Sequence, residues 1–351
     1  MNASGCFRKL ALLVLVLLAM CAGCGRTATV QKSEIVMDTV AQLTAEGSEA
    51  PQAVEESLAR LKELEQILSP YEEGSDAARL RDSAGSGQWV RVSPEMYHLL
   101  EVSQQYAALT EGAWDITAAP LVKLWGIGTE GARVPSAEEI AQAKAKVDWK
   151  KLELNGSDSA RLLEKGMELD LGGIAKGLAL DEVRKIYARH GIENGLINLG
   201  TSSIYAVGVN KERKPWRIGL RHPRKEGAGS LMATAEVTDE ALSTSGDYER
   251  FFEAEGVRYH HIIDPRTGYP AWCGKETAPA SRPVSVLVVI EGGEPDCGMK
   301  SDLLTTALFV LGKDRGEALL TDWQDEGIEG LLVTEDGALH GTFAITDFNY
   351  L

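Results

Sequence analysis

The chain has 351 residues, 44% apolar and 25% charged, enough for one large domain or two ordinary ones around a sizeable core, which excludes global disorder. A net charge of −16 argues against nucleic acid or an anionic membrane surface as the main partner. An acidic protein that handles phosphates must recruit a cation or focus a few Lys and Arg residues locally.

The N-terminus reads as a targeting segment. Arg8 and Lys9 precede an apolar run from Leu10 to Met20 that is too short to span a bilayer as a helix. Cys21-Ala22-Gly23-Cys24 then resembles a bacterial lipoprotein cleavage site, with Cys21 where Leu is more usual. The expectation is a signal peptide over 1–23, a lipid on Cys24, a tether over 24–33 and a folded domain over 34–351. The lipid would anchor the chain to a cell membrane, facing outside the cytoplasm. An ordinary signal peptide or an uncleaved anchor is the alternative. In the folded part only Cys273 and Cys297 remain, at a spacing that matches no zinc pattern. An exported protein could pair them, or they could be free thiols.

Glu34 to Glu46 alternates loosely and reads as a strand. Pro51 opens a helix with Val54, Leu58, Leu61, Leu64 and Ile67 at helical spacing, ending at Ser69-Pro70-Tyr71. A polar segment runs to Gln88, and Trp89 to Val92 is a short strand. Ser93-Pro94 supplies a cap and a first-turn proline for a helix to about Thr110. Gly112 to Thr117 is a loop. Ser136 and Glu139 form a capping box for a helix to about Val147, and two strands flank Asn155-Gly156.

Leu169-Asp170-Leu171-Gly172-Gly173-Ile174-Ala175-Lys176-Gly177 is a strand end, a tight turn and a helix start. Glycines and a lysine there suit an anion, although the pattern is neither of the ready-made nucleotide loops; it could equally be a structural turn. Strands follow at Leu196 to Leu199, Ser203 to Val209, Trp216 to Leu220 and Met232 to Val237. Ser243 to Tyr248 is a hydroxyl-rich turn that could hold phosphate or flavin edges but reads better as a cap for a short helix.

His261-Ile262-Ile263-Asp264-Pro265-Arg266-Thr267-Gly268-Tyr269-Pro270 is a strand that delivers a histidine and then turns. Val284 to Ile290 is an unbroken β-branched strand. Ser301 opens a helix running to Gly312. Asp302 and Thr306 are one turn apart on one face, and could offer two oxygens to a hard cation; Asp302 could instead be a helix-start acid. A hairpin around Asp336-Gly337 closes the chain, with strands at Leu331 to Thr334 and Ala338 to Ile345.

Together these blocks resemble the ApbE family of FAD:protein FMN transferases. They run in order: Met37-Asp38-Thr39, Leu68 to Tyr71, Gly112 to Asp115, Pro120 to Gly126, Asp170 to Gly177, Thr244 to Tyr248, His261 to Pro270 and Asp302 to Gly312. The likeness spans about 34–345. Asp38 stands where Gly is usual, Gly200-Thr201 replaces Gly-Gly, and Trp114 replaces Phe.

The resemblance implies an α+β fold of two mixed α/β subdomains, T-fold-like, with FAD between them. It implies magnesium-dependent transfer of FMN from FAD to a Ser or Thr hydroxyl of an exported or membrane-bound acceptor protein, with release of AMP. Met37, Tyr71, Ala113, Trp114, Asp115, Asp170, Lys176, Thr244, Ser245 and Ile263 would bind FAD. Gly173, by its carbonyl, with Asp302 and Thr306 would hold Mg2+; Thr305 stands where some members have a further Asp ligand. His261 would be the base, with Asp264 in support. Hydrolysis of FAD at the same site and a non-catalytic flavin-binding lipoprotein are the competing readings.

Overall fold

A computed structural model describes residues 29–225, 230–273 and 278–348. The leader and Cys24 lie outside the described residues. The first element is a hairpin, β1 (Thr29–Val36) and β2 (Thr39–Glu46). This corrects two expectations: the tether does not extend to Ser33, and Glu34 to Glu46 is not one strand. Met37 and Asp38 take φ of 54° and 55°, the paired left-handed conformation that reverses a two-residue hairpin. Asp tolerates that conformation, so the departure from Gly at position 38 is accommodated.

Helix α1 (Ala50–Leu68) buries Val54, Leu58, Leu61 and Leu64, as its spacing predicts. The polar segment after it holds an unanticipated helix, α2 (Asp76–Ser83), capped by the Ser75 side chain. There follow β3 (Val90–Arg91), α3 (Pro94–Leu109), α4 (Ala119–Trp125) and α5 (Ala137–Lys144). Ser93 caps α3, and Ser136 with Glu139 completes the expected capping box on α5. Strands β4 (Leu152–Leu154) and β5 (Ser159–Leu162) flank the Asn155 turn.

Helix α6 (Ala175–Arg189) leads to β6 (Asn194–Leu199) and β7 (Ser203–Val207). A ribbon of β8 (Trp216–Arg221) and β9 (Leu231–Val237) precedes β10 (Glu240–Gly246). Ser243 to Gly246 is thus a strand, not a turn capping a helix, because its residues pair with Val288 to Ser285 in the sheet. A second hairpin is β11 (Phe251–Ala254) and β12 (Val257–His260). The chain ends with β13 (Pro283–Glu291), α7 (Cys297–Trp323), β14 (Ile328–Thr334) and a short β15 (Leu339–Gly341). The backbone leaves helical geometry at Gly312 (φ 76°, ψ −175°), so the first helical segment of α7 ends there as expected, and a second segment continues beyond the kink to Trp323. Only glycine fits at this break, since a Cβ would lie 2.1 Å from the Trp272 ring.

The expected α+β class holds. Eight antiparallel strands form one sheet in the order β1-β2-β6-β7-β10-β13-β14-β15. Strand β13 is buried on both faces, which explains its continuous apolar run. Its Val286, Val288 and Ile290 join the core under the helices, while Leu287 and Val289 face a second core closed by the β8–β9 ribbon. Residues 76–169 form a second lobe of α2 to α5 and the small sheet β3-β5-β4. The β11–β12 hairpin leaves the main sheet and packs on that lobe: Phe252, Tyr259 and Ile263 meet Leu121, Trp125 and Ile140. Trp125 stacks on Tyr259 at 5.4 Å between ring centres and donates Nε1–H to the Gly268 carbonyl at 2.9 Å. His261, just past β12, is therefore carried to the seam between sheet and lobe.

Candidate active site

Helices α6 and α7 meet at a pair of glycines. A Cβ on Gly177 would lie 2.3 Å from the Gly298 carbonyl oxygen, and one on Gly298 would lie 2.4 Å from that of Gly177. The buried Asp181 of α6 reinforces the crossing by accepting the first N–H groups of α7, from Gly298 and Met299, at 3.0 Å each. This approach lets Asp302 of α7 accept the N–H of Gly177, in the first turn of α6, at 3.0 Å. The other Asp302 oxygen accepts from Ser203 Oγ at 2.9 Å, with Lys176 Nζ 3.7 Å away. Lys176 donates to Ser202 Oγ at 2.9 Å. Asp302 is only 5% exposed, so its charge rests on these three neighbours.

Thr306 and Gly173 come together at this cluster. Thr306 Oγ1 lies 3.3 Å from where a Gly173 Cβ would stand, and the Trp114 ring lies 2.9 Å from it. Any side chain at position 173 would close the gap between them. Thr305 is turned inward and committed: it donates to the Asp302 carbonyl at 2.7 Å and accepts from Ser245 Oγ at 2.8 Å. Asp302 and Thr306 lie one turn apart on α7 with Gly173 beside Thr306, and a carboxylate, a hydroxyl and a carbonyl are the donor types a hard cation takes, with water and substrate phosphate completing its shell. No group of three or more His, Cys, Asp or Glu placed to hold a metal ion occurs among the described residues. A carboxylate has room for about four donors, so Asp302 keeps acceptor capacity beyond its present partners.

His261 is fixed by the backbone of Arg250. Its N–H donates to the Arg250 carbonyl at 3.0 Å, and ring Nδ1 lies 3.3 Å from the same oxygen. A carbonyl only accepts, so Nδ1 carries the proton and Nε2 keeps its lone pair. Burial pushes the imidazole well below its ordinary value, to about 3, and the cations Arg250 and Lys176 and the neighbouring His260 act in the same direction. The ring is neutral at pH 7, a weaker base than the unperturbed value of ~6.5 would suggest. Negative charge from a bound phosphate would move it back up.

Among the described residues, no hydrogen bond or ion pair joins Asp264 to the His261 ring. Its carboxylate is gripped by the Arg266 side chain, Nε at 2.9 Å and Nη2 at 3.0 Å, and accepts the Arg266 N–H at 2.9 Å. Its backbone closes the turn, donating to the Tyr269 carbonyl and accepting from Gly268, each at 2.8 Å. Asp264 thus shapes the loop behind the histidine.

The other expected site residues fall into layers. Asp170 is half-buried and accepts the Gly172 N–H at 3.0 Å, and burial raises its carboxyl above the ordinary range. Trp114 is buried and donates Nε1–H to Ser103 at 2.8 Å, forming the floor below Gly173. Ala113 is buried beside it. Asp115 spends its carboxylate on Thr117 and the Trp149 N–H, and burial raises it too. Thr244 donates its N–H to the Ser202 carbonyl, tying β10 to the Ser202 loop. The hairpin tip reaches the same loop, for a Gly200 Cβ would lie 2.1 Å from Thr39 Oγ1; the adjoining Met37 N–H is held by Glu65 at 2.8 Å. Ile263 points into the α4–α5 core, and Tyr71 is 80% exposed in the turn after α1. Sequence reasoning missed Ser202, Ser203 and Arg250. The only signal near the serines was the Gly200 turn, and Arg250 had none.

The sequence profile of the ApbE family matches residues 37–332. The chain is 31% identical to the FAD:protein FMN transferase of Treponema pallidum over 99% of this chain and 96% of that protein. It is 35% identical to the transferase of the same name from Vibrio cholerae, over 74% of this chain and 73% of that one. Among solved structures, it resembles the ApbE protein of Thermotoga maritima with a TM-score of 0.76 at 31% identity, covering 91% of this chain and 97% of that one. The flavin transferase ApbE from Vibrio cholerae gives 0.75 at 28% identity, covering 92% and 98%. With most of its length matched by the family and both lobes shared with these structures, the chain belongs to the ApbE family.

Proposed function

We propose that this protein transfers FMN from FAD to a Ser or Thr hydroxyl of another protein, releasing AMP. The observation that carries the reading is a neutral His261, its Nδ1 held by the Arg250 carbonyl and its Nε2 free to accept a proton, within the electrostatic reach of Lys176 of the Asp302–Lys176–Ser203 cluster. Its relatives' shared name, FAD:protein FMN transferase, points the same way.

In this reading the acceptor oxygen forms a bond to the FMN phosphorus while the anhydride bond to AMP breaks. His261 Nε2 takes the hydroxyl proton, a step worth roughly 10²–10⁴ in rate. Lys176 and the α6 N-terminus face the phosphates. Asp302, Thr306 and the Gly173 carbonyl would hold Mg2+, which would offset charge on the diphosphate. Pairing Gly177 and Ser203 with Asp302 keeps that carboxylate aimed before substrate arrives. The acceptor is an exported or membrane-bound protein, and a lipid on Cys24 holds the enzyme on the same side. A Cys24→Ala chain recovered still in the membrane fraction would contradict that anchor.

The test incubates the chain with FAD, Mg2+ and an acceptor fragment, then measures acceptor mass and AMP. Transfer adds one FMN to a Ser or Thr. AMP without acceptor modification means hydrolysis, and tight FAD binding with neither product means a carrier. His261→Ala should bind FAD within a few-fold of wild type and lose at least about 10²-fold in transfer; undiminished turnover removes the histidine from this role.

A further inference from the structure

The cations around His261 differ in how they are committed. Lys176 is bonded to Ser202 and faces Asp302. Arg266 is locked on Asp264, and Arg224 on Asp247 and Glu335. Arg250 is different. Among the described residues its guanidinium has no ion pair and no hydrogen bond, yet its stem is held in place: Cδ, Cγ and Cβ would lie 3.0, 3.4 and 3.5 Å from a Cβ on Gly128. Gly128 takes φ of 89° in the loop after α4, so the second lobe presents a flat patch of backbone for that stem to lie on. The Arg250 carbonyl holds both the backbone and the ring of His261. Its charge also acts on Asp170 across the seam.

We propose that Arg250 is a substrate-binding and positioning residue: its carbonyl orients the His261 ring, and its guanidinium takes anionic oxygens of the FAD diphosphate beside that ring. The assignment rests on reading this site as an FMN transferase. An unpaired guanidinium in an acidic protein, next to the proton acceptor, is a ready partner for phosphate, which a planar fork binds through two oxygens. It also makes Nε2 a better-matched base only once the substrate is bound. In the free enzyme Arg250, Lys176 of α6 and His260 of β12 all oppose a charge on His261; a bound diphosphate would absorb the Arg250 field and lift that opposition.

The experiment compares wild type with Arg250→Gln and Arg250→Lys by FAD fluorescence titration without acceptor and by the pH dependence of kcat/KM for transfer. Arg250→Gln is expected to weaken FAD binding and lower kcat/KM by about 10- to 100-fold, the range of a charge-assisted pair. With a positive neighbour gone, the acid limb of kcat/KM should move to higher pH. Arg250→Lys should restore the limb and only part of the affinity. The side chain is exposed, so thermal unfolding of all three should coincide within a few degrees. FAD affinity within twofold of wild type, or a loss with an unmoved limb in the active enzyme, overturns the assignment. Affinity is read without acceptor. A wild type that binds FAD and transfers nothing would therefore sink the proposed function, leaving affinity alone to decide Arg250.

Discussion

At the scale of single residues, Asp302 has two separable tasks. It is the carboxylate of the proposed metal set, and it satisfies two buried donors, the Gly177 N–H and the Ser203 hydroxyl. Asp302→Ala leaves both unpartnered, at ~1–3 kcal/mol for each buried donor, so stability should fall by about 3 kcal/mol in urea unfolding. Asp302→Asn keeps an acceptor in nearly the same place and should lose about 1 kcal/mol or less. Both should lose Mg2+-dependent turnover by more than about 10²-fold. Equal stability losses would show that the hydrogen bonds are not what Asp302 contributes to the fold. Wild-type turnover in either would remove it from the site.

The relevant pair of elements is α6 and α7, whose crossing sets the site. Alanine is better than glycine within a helix by about 1 kcal/mol, so propensity alone favours Gly177→Ala. Contact wins over propensity here: the new methyl would sit 2.3 Å from a backbone carbonyl that cannot move without moving α7. Separating the helices also lengthens the Gly177–Asp302 bond. Gly177→Ala is expected to lose about 3 kcal/mol and most activity, whereas Gly293→Ala, with nothing within 4 Å, should be near neutral. A thermally unchanged Gly177→Ala would mean that the helices can part freely.

At the scale of the whole molecule, the β11–β12 hairpin joins sheet to lobe, and His260 is buried in that joint. Neutral imidazole fits it completely: Nε2–H donates to the Ala271 carbonyl at 2.7 Å, and Nδ1 accepts the Ile262 N–H at 3.3 Å. The ring also meets Phe309 of α7 edge to face at 5.3 Å. Burial pushes its value down to about 4. The folded value lies below the unfolded one of ~6.5, so the unfolded chain binds the proton more readily. The stability His260 contributes is whole above about pH 6.5 and is lost as pH falls toward 4, by on the order of 3 kcal/mol. Acid also reduces the net negative charge of −16, which relieves long-range repulsion, but that term is screened by salt. Urea midpoints at high salt should therefore fall between pH 6.5 and 4 in wild type, and less steeply in His260→Gln. Parallel curves would take His260 out of the acid response.

Local pattern alone was sufficient for much of this protein. The Asp302–Thr306 spacing, the capping box at Ser136 and the Asp170–Lys176 turn depend on neighbours a few residues away, and each lies where the pattern put it. The strand that delivers the histidine is Val257–His260, ahead of the expected His261 to Ile263, which lie past its end. Where local pattern misled, a distant partner decided. Ser243 to Gly246 looks like a polar turn, yet pairing with β13 makes it a central strand. Ser301 looks like a helix start, yet α7 begins a turn earlier at Cys297, where the distant Asp181 carboxylate accepts the N–H groups of Gly298 and Met299. The serines around Asp302 and the carbonyl behind His261 come from strand register and from two lobes meeting. No spacing along the chain encodes such contacts, because they join residues tens of positions apart through packing. The sequence by itself determined the family, the α+β class and the chemical types of the site residues. Only the tertiary structure decided which of those side chains face one another, that Asp264 serves the turn, and that Arg250 stands beside the histidine with its charge unspent.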